Sequence, residues 1–90
     1  MITTYKLFTA PNCPKCPNVK DYILSRSGLK GEVIEVSPAR PEGLALARRF
    51  RVTSVPHIIF FDEWGIEVGR ARSVAEIGAV ISHKELVTAS

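Results

Sequence analysis

What this chain has little of narrows what it can be. No apolar run approaches the roughly 20 residues that a membrane-spanning helix needs. Its 90 residues allow one domain, expected to span 1–90. It opens on Met1-Ile2-Thr3-Thr4-Tyr5-Lys6, with no basic segment running into an apolar core, so no secretory signal is expected. Aromatic residues are 8% of the chain, and no basic stripe is interleaved with them. The net charge is +3, but the groups Arg48, Arg49, Arg51 and Arg70, Arg72 read as solvated surface, and nucleic acid is not an expected partner. Cysteine is scarcest in a telling way, with two in all. The two histidines, His57 and His83, stand 26 residues apart, so the C-x-x-C…H-x-H spacing of a structural zinc site is missing and no metal is expected. Without a signal, the expected location is cytoplasmic. In that reducing compartment a lone cysteine pair is redox-active or metal-bound more often than it is a structural staple.

Hydrophobic residues at 46% and charged residues at 23% are those of a globular protein. Both cysteines and half of the six prolines fall in Pro11-Asn12-Cys13-Pro14-Lys15-Cys16-Pro17. This stretch follows a strand-like run and precedes a helix-like one. A C-x-x-C at a strand-to-helix junction of a small chain reads as a dithiol/disulfide site. A metal or iron–sulfur module built on Cys13 and Cys16, shared across a dimer, is the alternative from another class of function.

Thr3–Thr9 is rich in β-formers and reads as a strand. Cys16, Val19, Tyr22 and Ile23 lie on one helical face, with Pro14 and Pro17 in the first turn and Gly28 as a closing residue. Gly31–Val36 is a second strand. Leu44, Ala47 and Phe50, flanked by Leu46, give a second helix its apolar side, which Gly43 is expected to weaken. His57–Phe61 is the most hydrophobic run, a buried central strand. A turn at Asp62–Gly65 leads to a partner strand over Ile66–Arg70. Ser73-Val74-Ala75-Glu76 is a capping box opening a last helix, with Val74, Ile77, Val80 and Ile81 facing inward, that runs to about Leu86. The order β-α-β-α-β-β-α requires parallel first and second strands and an antiparallel final pair. The expected fold is α/β, a four-stranded mixed sheet with helices on both faces.

Three features together resemble the thioredoxin/glutaredoxin family: Cys13-Pro14-Lys15-Cys16 between strand and helix, Phe50-x-Val52-x-x-Val55-Pro56 before an apolar strand, and a hairpin containing Gly69 followed by a Ser-capped helix. The short N-terminus and the C-P-x-C form are most similar to the small glutaredoxin-like thioredoxins of archaea. The resemblance implies the thioredoxin fold and a thiol–disulfide oxidoreductase that reduces protein disulfides through a redox-active Cys13–Cys16 disulfide, with no other cofactor. It implies Cys13 as nucleophile and Cys16 as resolving thiol, with Pro14 and Lys15 completing the catalytic motif. It further implies a cis Pro56 that, with Val55, Asn12 and Gly69, meets the substrate. The chain departs from the family patterns at Leu7, where thioredoxins carry a buried acid, at Asn12, where they carry tryptophan, and at Lys15, where glutaredoxins carry tyrosine. Gly69-Arg70-Ala71-Arg72-Ser73 lacks the glycine pair and acid that hold glutathione. The expected partners are therefore disulfide-containing proteins and an upstream thioredoxin-reductase-type system rather than glutathione, with the protein acting as a monomer.

Overall fold

The computed structural model describes residues 2–25 and 29–89, with side chains as far as residue 82; Gly28 and the side chain of His83 lie outside the described residues. Among the described residues seven elements follow in the expected order: β1 (Thr4–Thr9), α1 (Cys16–Leu24), β2 (Lys30–Glu35), α2 (Pro41–Arg49), β3 (His57–Phe61), β4 (Glu67–Ala71) and α3 (Val74–Ala89). They form one sheet in the order β2-β1-β3-β4. β1 and β2 are parallel, with Leu7 paired to Val33, while β1–β3 and β3–β4 are antiparallel.

The two central strands are apolar on both sides, so both sheet faces must be covered. Tyr5, Leu7, Ile58 and Phe60 point to one face and pack with Val19 and Ile23 of α1 and Ile77 and Ile81 of α3. Phe8, Ile59 and Phe61 point to the other, where Ala47 of α2 and the side chains of Phe50, Val52 and Val55 close over them. Leu7, Phe8, Ile58, Ile59, Phe60 and Ile77 are fully buried. Each such side chain contributes about 1.5–3 kcal/mol of burial, which makes the central pair the anchor of the fold.

The local signals act as their chemistry dictates. The Ser73 hydroxyl accepts from the Glu76 amide and the Glu76 carboxylate accepts from the Arg72 amide, so both halves of the capping arrangement hold the start of α3. The β3–β4 turn is fastened by the Asp62 carboxylate, which accepts from the amides of Trp64 and Ile66, with Gly65 at φ 76°. A pairing irregularity between Phe60 and Phe61 shifts β4 one residue later than expected, leaving Ile66 outside the strand and exposed. Val74, expected to face inward, is 37% exposed, because α3 packs through Ile77 and Ile81 instead.

Gly43 also departs from expectation. A Cβ there would collide with the Glu35 carbonyl oxygen, so glycine is what lets α2 lie down on the end of β2. The buried face of α2 is accordingly Gly43 and Ala47, with Leu44 only half-buried. Arg51, just past α2, holds φ 58°, a left-handed conformation that glycine adopts more readily. Gly43→Ala should therefore destabilise by about 1–3 kcal/mol, as overpacking against backbone does. Arg51→Gly should raise the melting temperature by relieving the left-handed side chain, worth about 1 kcal/mol. Thermal unfolding of both variants checks the two opposite signs.

Candidate redox site

β1 ends at Thr9, and the chain leaves the sheet through Ala10 and Pro11. The Cys13 amide donates to the Ala10 carbonyl at 3.3 Å and the Cys16 amide to the Cys13 carbonyl at 3.4 Å, which coils the loop directly into α1. The helix begins at Cys16, so Pro17 sits in its first turn while Pro14 lies in the turn before it. Cys13 and Cys16 are joined as a disulfide with Cα atoms 5.4 Å apart. The two sulfur-bearing residues differ in access: Cys13 is half-buried, and Cys16 is only 5% exposed. Asn12, Pro14 and Lys15 are exposed around them.

The start of α1 is electrostatically bare. Among the described residues no side chain caps it, and no acidic residue occupies its first turn to offset the positive end of the helix dipole. Leu7, two residues before the end of β1, is fully buried and apolar. Amides and dipole are thus left facing the cysteines, an arrangement that favours a negative charge at this end of the helix.

The Val55–Pro56 bond is cis, and Pro56 is buried. Phe8 pairs with His57, so the next rung places Pro56 across from Thr9, at the end of the sheet from which the cysteine loop departs. Val55 packs against the cluster around Phe8. The structure thus brings Asn12, Cys13, Pro14, Lys15, Cys16, Val55 and Pro56 to one end of the sheet. Gly69 belongs elsewhere: it pairs with Phe60 in β4, and a Cβ on it would press on Val80 of α3. It is a glycine of close strand–helix packing, which corrects its expected place on the substrate surface.

Sequence reasoning missed three neighbours of the disulfide. A cavity of about 320 Å³ beside Cys13 and Cys16 is bordered by Lys20, Asp21 and Val33. Lys20 stands four residues after Cys16, on the same side of α1, a spacing visible in the sequence. Val33 arrives through the β1–β2 register, which is not. Among the described residues no group of three or more His, Cys, Asp or Glu is placed to share a metal ion.

His57 follows Pro56 and lies 3.5 Å from an Arg70 guanidinium nitrogen through Nε2, while its buried Nδ1 has no hydrogen-bond partner among the described residues. Burial, then the charges of Arg70 and Arg72, hold its pKa below the usual imidazole value. Arg70 donates two hydrogen bonds to Glu67, which lowers the Glu67 pKa. Because the folded state binds the His57 proton less readily than the unfolded state, this group favours folding above the ordinary value of 6.5 and opposes it increasingly below. The acid side of the stability–pH curve should flatten in His57→Gln as the pH falls below 6.5, read by urea unfolding. An unchanged slope would assign the titration elsewhere.

A cysteine pair at a strand-to-helix junction, a cis proline facing that junction and a four-stranded mixed sheet define a thioredoxin-type architecture. Comparison with solved structures agrees. The chain is similar to thioredoxin 1 from the thermophilic eubacterium Thermosipho africanus (TM-score 0.75, 22% identity, covering 98% of this chain and 100% of that one). It is also similar to a thioredoxin from Thermus thermophilus (TM-score 0.61, 27% identity, covering 94% of this chain and 72% of that one). A third likeness is to oxidised thioredoxin O2 from Arabidopsis thaliana (TM-score 0.72, 19% identity, covering 91% and 74%). No family profile and no curated protein sequence matches the chain. The chain has the thioredoxin fold, with its only two cysteines joined at the end of the sheet where the first helix begins.

Proposed function

We propose that the protein is a thiol–disulfide oxidoreductase that reduces protein disulfides by dithiol exchange. The observation that carries this reading is the asymmetry of the pair. Cys13 is accessible at an uncapped helix N-terminus, and Cys16 is 5% exposed one residue inside it. Only a thiolate attacks a disulfide, so the group that is both reachable and stabilised as an anion is the nucleophile.

The reduced Cys13 thiolate attacks one sulfur of a target disulfide. A Cys13–target bond forms, and the other target sulfur leaves as a thiolate that takes up a proton from water. Cys16 then gives up its proton and attacks Cys13, breaking the mixed disulfide. The target leaves with two thiols, having gained two electrons and two protons, and the Cys13–Cys16 disulfide remains. Lys15 adds positive charge near the thiolate, with Pro14 beside it. Val55, Pro56 and Asn12 form the surface on which the target's backbone lies. The disulfide is the whole redox group, and no further cofactor takes part.

An upstream thioredoxin-reductase-type system is the reductant this reading favours, in a cytoplasmic electron-transfer chain that maintains thiol balance, with the protein working as a monomer. Gly69 packs under α3 and Arg70 is engaged with Glu67, which speaks against a glutathione pocket built on that strand. The C-P-x-C form supports a likeness to the small glutaredoxin-like thioredoxins on this reading. Insulin reduction with dithiothreitol should be accelerated by the wild type and fall to background in Cys13→Ser. Cys16→Ser should accumulate a mixed disulfide with its target, seen as a mass adduct on Cys13. An adduct on Cys16 in the reciprocal variant instead would reverse the roles.

A further inference from the structure

The disulfide opens on a side that the cis-proline loop does not reach. β2 is an edge strand, and the first four of its six residues, Lys30 to Val33, are all exposed. The Lys30 amide donates to Thr3 and the Val36 amide to Thr9. In a parallel ladder this spends the even-numbered residues on β1, so the backbone groups of Gly31, Val33 and Glu35 point away from the sheet. α2 covers the Glu35 carbonyl through Gly43, which leaves Val33 as an open rung in the middle of the edge. Its side chain is 41% exposed.

Val33 also borders two cavities that adjoin. One, about 320 Å³, contains the disulfide. The other, about 560 Å³, runs to the start of α2. Both share Thr9, Lys20 and Val33, so they form one trough along the unpaired edge. α1 leaves β1 toward one face of the sheet and α2 leaves β2 toward the other. The trough therefore occupies the crevice at the carboxyl ends of two parallel strands whose helices diverge, the place where open α/β sheets take ligands. Its charge runs against that of the molecule. In a chain of net charge +3, the trough is bordered by Asp21, Glu32, Glu35 and Glu42 against Lys20 and Arg40; Glu32 is paired with Lys6 of β1, which leaves three carboxylates against two cations.

The geometry points to a second substrate subsite: the β2 edge at Val33 receives an extended segment of the target protein, next to its disulfide and bearing lysine or arginine. Backbone pairing with the Val33 rung supplies the affinity of an added strand. The carboxylates supply a preference for basic flanks. This rests on the redox reading above, and the subsite selects among the disulfide proteins that such a centre could reduce.

The test uses two disulfide peptides that differ only in three lysines or three glutamates flanking the cystine, and a small aromatic disulfide. The lysine peptide should have a kcat/KM about tenfold higher in low salt, as a few exposed ion pairs provide, and the gap should close in 0.5 M salt, where the Debye length is only about 4 Å. Glu42→Lys should shrink the ratio, and Val33→Lys, at an already exposed position, should shrink it further. Equal rates for the two peptides, with the small disulfide reduced, would overturn the subsite and leave the redox reading standing. Serine-for-cysteine copies of the peptides, followed by fluorescence anisotropy, separate the reverse case. Preferential binding of the lysine copy without any disulfide reduction would sink the redox reading and keep the subsite. Equal binding of the two copies would remove the subsite whatever the chemistry.

Discussion

Leu7 and Phe8 are neighbours in β1, both wholly buried, on opposite faces of the sheet. That double burial is the constraint on which the other elements depend. A strand that hides both faces must lie inside a sheet and be roofed on each side. β3 meets the same demand with Ile58 and Ile59, and the two strands settle beside one another at the centre. The helices must then divide between the faces: α1 and α3 take the side of Leu7, and α2 takes the side of Phe8. The loop at the end of β1 is thereby pinned at its root, and the cysteine pair inherits its position from two side chains that take no part in its chemistry.

The same division explains why the site is lopsided. α1 starts over one face and α2 starts over the other, so the carboxyl end of β2 is left open between them. On one flank of the disulfide stands the buried Pro56 turn; on the other lies the exposed edge with Val33. Where the familiar pattern of the fold would place an acid, Leu7 gives only hydrocarbon. The charged side chains that border the cavity beside the pair come instead from α1 itself, as Lys20 and Asp21.

Much of this was legible in the residues. The two-sided apolar run at His57–Phe61, the Ser73–Glu76 cap and the Cys-x-x-Cys junction each carry a local physical signal, and element order followed from them. What escaped reading depends on distance in space. Gly43 looks like a weak helix residue until the Glu35 carbonyl lies against it. Gly69 looks like a ligand glycine until Val80 is seen above it. Val33 reads as one more apolar strand residue, and only the sheet order reveals that nothing pairs with it on its outer side among the described residues. Helix starts were blurred for a related reason. Proline tolerates the turn before a helix as readily as its first turn, so Pro14 and Pro17 alone do not say which residue begins α1.

The missing cap at the start of α1 ties the two states of the cysteine pair to the helix itself. In the disulfide form the first amides of α1 have no side-chain acceptor among the described residues. On the proposed chemistry, a Cys13 thiolate formed by reduction would lie before these amides, in the role that serine or aspartate supplies in other helices. On that reading, reduction supplies a capping group at the start of α1, and oxidation removes it. The two equilibria are linked in both directions: whatever tightens the first turn of α1 favours the dithiol, and whatever loosens that turn returns the advantage to the disulfide.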